Sequence, residues 1–170
     1  ADFVVPNTDI PAPDVYTDAR IMGWMADEYQ AIKRVKAPGV ITGKSISLGG
    51  SYGRDEATGR GAYLTTRELM KRQGKEPANT TVALQGFGNA GSHIASLLER
   101  DGYRIVAVSD AKGAIYADEG DDITALEALK EAEGTVTAME GQVRLTNKEL
   151  LELDVDILCP AALESVISEE

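Results

Sequence analysis

The sequence predicts an α/β fold: a doubly wound, mostly parallel sheet preceded by the tail end of a second domain. Three observations carry this. Short apolar runs at residues 81–84, 105–108 and 155–159 alternate with helix-patterned segments, the rhythm of βαβ units with short connections. A glycine-rich turn, Gly86-Phe87-Gly88-Asn89-Ala90-Gly91, joins the first run to the helical pattern behind it. At 170 residues the chain holds one full core and little more.

The elements follow in order. Residues 4–15 carry Pro6, Pro11 and Pro13 and are expected to form a loop, because each ring removes an amide donor and biases its predecessor toward extended backbone. Thr17 then reads as a helix N-cap with Asp18 in the first turn. Ile21, Met22, Met25, Tyr29, Ile32 and Val35 recur at helical spacing until Pro38-Gly39 stops the pattern. That stripe, with the nearby Trp24, is expected to pack into a core. Residues 40–51 start with an extended alternation and reach Gly49-Gly50, which suits a crossing or hinge between two lobes. The domain boundary is placed there, giving 1–49 and 50–170. Residues 56–72 resume the helical pattern with Ala62, Leu64 or Thr65, Leu69 and Met70 inward. Gly59 and Gly61 interrupt it at a cost of about 1 kcal/mol each relative to alanine, so a neighbour is expected to come close there.

Beyond residue 80 the pattern is regular. A strand at 81–85 is followed by a helix at 90–100 with Ile94, Leu97 and Leu98 on one face and Gly102 just past its end, then a strand at 104–109. Residues 113–116 suit a short extended piece, and residues 123–132 a helix that Gly134 terminates. Thr146-Asn147-Lys148-Glu149 is a capping box opening a short helix, and residues 155–159 form a buried strand ended by Pro160. The single cysteine, Cys159, sits in that apolar run and is expected to be buried rather than reactive.

Composition excludes several function classes. The net charge is −11, from 28 acidic and 17 basic residues, which argues against a surface that tracks nucleic-acid phosphates. No run approaches the ~18 apolar residues of a membrane span, so a soluble, cytoplasmic protein is expected. The first residue is not methionine and the last residues are helix-like, so both ends are expected to continue in a longer protein. No metal-ligating set is expected.

The glycine turn carries the chemistry. Gly86 permits a tight turn, Gly88 removes the Cβ that would block phosphates, and Gly91 lets the helix pack on the strand. Backbone N–H groups and the helix dipole then hold a pyrophosphate. Asp110 closes the second run about 20 residues beyond Gly91, where a carboxylate meets an adenosine ribose; Lys112 could instead neutralise a 2′-phosphate, so NAD and NADP both stay open. A tight turn without a ligand is the competing interpretation of the glycines. Lone His93 is expected to be a solvated helix residue.

Several separated motifs now stand in one order. These are residues 9–15 (DIPAPDV), 38–44 (PGVITGK), 53–61 (GRDEATGRG), 85–91 (QGFGNAG), 108–113 (VSDAKG) and 156–162 (DILCPAA), and together they resemble the glutamate dehydrogenase family along nearly the whole chain. The resemblance implies a Rossmann-like cofactor domain behind the end of a substrate domain, and NAD(P)-dependent oxidative deamination of glutamate to 2-oxoglutarate and ammonia. It also implies a homohexamer that opens and closes between its lobes. Asp14 matches the family's catalytic aspartate, which passes protons to and from the amino group; by itself it would read as a residue preceding a helix. Thr58 matches the threonine that meets the nicotinamide amide, and Arg54 a position on the substrate side. Gly86, Phe87, Gly88, Asn89, Ala90 and Gly91 match the phosphate turn, Ser109 and Asp110 the ribose end, and Ala161 and Ala162 the segment bordering the nicotinamide ribose. The family's catalytic and substrate-binding lysines are expected upstream of residue 1, so residues 1–170 alone are expected to be inactive. A leucine or phenylalanine dehydrogenase and a non-catalytic nucleotide-binding module are the alternatives.

Overall fold

The computed structural model describes residues 3–167. They form two compact units, one through Ala57 and one from Thr58 onward.

The first unit is built around α1 (Ala19–Lys33). Its N-cap is Asp18, whose carboxylate accepts the Ile21 N–H at 2.9 Å. This corrects the expected Thr17 cap: the Thr17 hydroxyl is already engaged with the Asp14 backbone, accepting its N–H at 2.7 Å and donating to its carbonyl at 2.9 Å. Met22, Ala26 and Tyr29 pack with Val40 and Ile41 into a small core. The expected stripe is thus only partly buried: Met25, Ile32, Val35 and Trp24 are exposed, and Trp24 lies under the Arg20 guanidinium, 5.3 Å from its carbon to the ring centroid. The small core of this unit covers one side of the helix and leaves these residues outside it. Residues 40–51 contain no strand; the chain there is turns, bends and a 3₁₀ turn, Ile46–Leu48, closed by Gly49 at φ 85°. The Lys44 ammonium holds this irregular backbone, donating to the Pro38 and Ile41 carbonyls at 2.6 and 2.5 Å.

The second unit opens with α2 (Ala57–Arg72) and continues through a five-stranded sheet of order β4-β3-β2-β1-β5. The strands are β1 (Thr81–Gln85), β2 (Arg104–Asp110), β3 (Gly113–Tyr116), β4 (Val143–Leu145) and β5 (Ile157–Pro160). β1 pairs parallel with β2 and β5, while β3 and β4 add an antiparallel ribbon at the β2 side. The sheet is therefore mixed. A two-residue connection after Asp110 permits only a hairpin, since a parallel crossover needs a dozen residues or more. β4 is only Val143-Arg144-Leu145, too short for its alternation to mark a strand in the sequence, and it is defined by its antiparallel pairing with β3.

Alternation along the strands sends side chains to two layers, and a register shift between β1 and β2 after Val82, which skips Val106, puts Ile105 and Val108 on one face. Val82, Leu84, Ile105 and Val108 meet Ile94 and Leu98 of α3 (Asn89–Arg100) and Leu126 of α4 (Ile123–Glu133). Ala83, Ala107 and Ala114 face Leu150 of α5 (Asn147–Leu151); the small side chains let that short helix sit close. The expected caps form: Gly134 is left-handed at the end of α4, and Thr146 and Glu149 make both capping-box bonds. Cys159 is half-buried and burial pushes its thiol up. Among the described residues no helix is long and apolar enough to cross a membrane.

Two carboxylates give the second unit opposite responses to pH. Asp156, just before β5, accepts from Lys75 Nζ at 2.5 Å, from the Thr81 N–H at 2.9 Å and from the Thr81 hydroxyl at 3.0 Å. The ammonium and then the two Thr81 donors hold its pKa down to about 2. Its contribution is present above the ordinary carboxylate range and disappears as the pH falls toward 2. Asp121 is the reverse case, buried with no hydrogen-bond partner on either carboxylate oxygen. Burial raises it to about 6, so it stabilises the fold when protonated, and that contribution fades as the pH rises from about 4 through 6. Asp121→Asn is expected to be about 1–3 kcal/mol more stable than the parent at pH 8 and equal to it at pH 4, as measured by urea denaturation at both values.

Candidate functional site

The site grows from the junction of β1 and α3. Gly86 leaves the strand at φ 94°, in the left-handed region that a side chain disfavours, and a Cβ there would stand 2.6 Å from the Ala161 carbonyl oxygen. A Cβ on Gly91 would fall 1.9 Å from the Gly86 carbonyl oxygen, so the first turn of α3 lies directly on the strand end. Gly88 is different. Nothing comes within 4 Å of its missing Cβ, which leaves open space at the helix N-terminus. Two glycines are consumed by packing and the third by access, which is the arrangement a pyrophosphate needs.

Neighbouring strand ends complete the turn. The Gly86 N–H donates to the Ser109 carbonyl at 3.1 Å and is 3.2 Å from the Ser109 hydroxyl, which is wholly buried. The Ala161 N–H donates to the Gln85 carbonyl at 2.7 Å, holding Ala161 against the glycines, with Ala162 exposed beside it. Phe87 turns its ring into the core and offers only backbone, while Asn89 and Ala90 begin α3. The His93 ring stands 2.7 Å from the Asn89 carbonyl oxygen; the residue is half-buried against α2 at Gly59 rather than the fully solvated helix residue expected.

Asp110 ends β2 with its carboxylate engaged on both oxygens. One accepts the Lys112 N–H at 2.8 Å and the Thr135 hydroxyl at 3.2 Å; the other accepts the Val136 N–H at 2.8 Å and lies 3.8 Å from Lys130 Nζ. Burial works to raise its pKa, but these donors outweigh it and the net shift is downward, so the group is a fixed anion. Its carbonyl accepts from Asn147 Nδ2 at 2.9 Å, tying α5 to the same corner. Lys130 has no sequence signal beyond its helical register, because the residue it serves lies more than forty positions away.

Thr58 is exposed at the start of α2, and Gly59 after it explains why a glycine interrupts this helix. A Cβ on Gly59 would stand 2.6 Å from His93 Cβ and 2.8 Å from the Ala90 carbonyl oxygen, so α2 and the first turn of α3 are nearly in backbone contact. The expected close neighbour is present at Gly59. At Gly61 it is not, for nothing lies within 4 Å of that position.

Asp14 belongs to the first unit, where its loop is anchored twice. The Thr42 N–H donates to the Pro11 carbonyl at 3.0 Å, and Gly43, at φ 77°, admits Pro13 so closely that a Cβ would lie 2.2 Å from the proline ring. Tyr16 closes the turn at φ 62°. The Asp14 carboxylate accepts the Val15 N–H at 2.7 Å, is exposed, and does not cap α1. Arg54 is half-buried in the turn that precedes α2.

Comparison with known proteins identifies relatives of the whole chain. Residues 49–170 match the model of the glutamate/leucine/phenylalanine/valine dehydrogenase family, and residues 1–31 match the dimerisation domain of the same family. The chain belongs to that dehydrogenase family. Among curated relatives, the NADP-specific glutamate dehydrogenase of Synechocystis is 47% identical over all of this chain and 42% of its own length. A cryptic catabolic NAD-specific glutamate dehydrogenase of Bacillus subtilis is 46% identical over all of this chain and 40% of its own. The hetero-hexameric glutamate dehydrogenase of Thermus thermophilus superposes with a TM-score of 0.90 at 36% identity, covering 98% of this chain and 39% of that one. The chain thus spans about two fifths of the dehydrogenases it matches.

The two helix glycines separate packing from propensity. Gly59→Ala is expected to lower stability by more than 2 kcal/mol, because backbone must move at Ala90. Gly61→Ala, in open space, is expected to raise it by about 0.5–1 kcal/mol. Thermal unfolding of both variants checks the pair.

Proposed function

We propose that the full-length protein is an NAD(P)-dependent glutamate dehydrogenase, interconverting L-glutamate with 2-oxoglutarate and ammonia. The observation that carries this reading is the β1–α3 turn, with packed glycines at 86 and 91 and open space at 88, in a chain whose similar relatives are named glutamate dehydrogenases. The residues present fit a dinucleotide. Backbone N–H groups at the start of α3 face the space beside Gly88 and suit the pyrophosphate, Asp110 marks the ribose end, and Ala161 and Ala162 border the other side. When bound, the nicotinamide supplies the hydride acceptor or donor at its C4.

The chain's own residues supply binding and proton handling. The Thr58 hydroxyl both donates and accepts, which suits a carboxamide. Asp14, exposed on a loop pinned by Pro11 and Pro13, holds or releases a proton at the substrate nitrogen. The Arg54 guanidinium is suited to steering a dicarboxylate. Residues 1–49 are read as the end of a substrate domain and residues 50–170 as most of the cofactor domain, with Gly49-Gly50 as a hinge element. A hexamer is proposed by analogy with the Thermus enzyme, whose assembly is named hetero-hexameric. The acidic surplus and the absence of a membrane-crossing helix among the described residues suit a cytoplasmic enzyme with no nucleic-acid partner.

Initial rates of the full-length protein with glutamate, leucine and phenylalanine, each with NAD and NADP, test the reading. Glutamate is expected to lead with at least one cofactor, and preference for leucine or phenylalanine would overturn the assignment. Asp14→Asn is expected to lower kcat by about 10²–10⁴-fold while leaving dinucleotide affinity within about twofold of the parent, since only proton transfer is removed.

A further inference from the structure

We infer that Lys130 is a positioning residue for the dinucleotide turn, setting the peptide between Phe87 and Gly88 from outside the glycine motif. The inference rests on the cofactor site proposed above and adds to it a residue forty positions away in sequence.

The geometry is specific. From the last turn of α4, Lys130 reaches across to donate to the Phe87 carbonyl at 2.6 Å, with its ammonium 5.6 Å from the centroid of the Phe87 ring. A trans peptide is planar, so its C=O and the following N–H point in opposite directions. Holding the Phe87 carbonyl toward α4 therefore directs the Gly88 N–H the other way. Gly88 is the position with open space around it, and its N–H is one of the donors that a pyrophosphate would meet. Gly88 has no Cβ to restrict this peptide, so the lysine's bond adds to what the buried Phe87 ring and the Ser92 N–H on the Gly88 carbonyl fix on either side of it.

The lysine is itself held. Asp110 stands 3.8 Å from its ammonium, on the oxygen that also accepts the Val136 N–H. The helix that carries it is fixed at both ends, by the Asp122 cap and by left-handed Gly134, whose N–H donates to the Lys130 carbonyl at 2.8 Å. A chain of contacts thus runs from Asp110 through Lys130 to the Phe87 carbonyl. On this view the acidic residue at the end of β2 acts on the phosphate turn through the lysine, in addition to any contact with a ribose.

Lys130→Met, Lys130→Gln and Lys130→Arg in the full-length protein test this. Hydrogen exchange without ligand is expected to be about tenfold faster in Lys130→Met for peptides covering residues 85–92, and unchanged in β2 and α5, as fits the loss of one charge-assisted bond. Calorimetric Kd values for NAD and NADP are expected to rise together, about tenfold for whichever binds, with kcat at saturation within about twofold. Lys130→Arg should recover most of the loss, and Lys130→Gln, which keeps a donor without the charge, part of it. Unchanged exchange at residues 85–92 would overturn the proposal, as would faster exchange throughout the second unit, which marks a general structural role. An affinity loss confined to NADP would also overturn it, by making Lys130 a direct phosphate contact. If the parent protein binds neither dinucleotide while exchange still responds locally, the cofactor reading fails and the positioning of the turn survives it.

Discussion

The near-contact of α3 with the end of β1 is the constraint on which the second unit depends. A helix can begin on top of a strand's last carbonyl only if no side chain stands between them, and Gly91 meets that condition with a gap too small for a single carbon. Once the helix starts there, its dipole and the N–H groups of its first turn are brought to the carboxyl end of a parallel strand. Ala161 presses from β5 and Ser109 from β2, so three neighbouring strand ends share one small volume. Any residue larger than glycine at 86 or 91 would have to separate elements that the core beneath holds together.

That core explains why the arrangement is rigid. The face toward α3 and α4 is filled by Val, Leu and Ile, whereas the face toward α5 carries one alanine from each of three adjacent strands. Large side chains on one side and small ones on the other set the two helical layers at different distances from the sheet. The close layer lets Asn147 at the start of α5 bond the Asp110 carbonyl directly. Polar contacts at the carboxyl edge are therefore consequences of apolar packing several residues below it.

Much of this was legible in the sequence where short-range rules operate. Gly102 and Gly134 mark helix ends, Thr146 and Glu149 a capping box, and the runs around Val82 and Val106 a buried sheet, because each signal is contained in a few adjacent residues. Interactions between distant positions were not legible. Thr17 and Asp18 are equally good caps by type, and only the engagement of the Thr17 hydroxyl with Asp14 decides between them. β4 exists because β3 pairs with it, and Lys130 matters because of where Phe87 lies. Within the candidate site the glycines could be assigned roles in advance, yet Asp110 reads as a simple ribose ligand until its protein donors are counted. In the first unit, the helical period of Ile32 and Val35 implied burial, whereas both residues lie outside the small core formed by Met22, Ala26, Tyr29, Val40 and Ile41.

The open side of α1 has a practical meaning. The chain contains one tryptophan, and it stands on that surface beneath a guanidinium rather than in a core. An indole so placed emits according to what covers it. Its fluorescence is thus a built-in gauge of surface occlusion at α1.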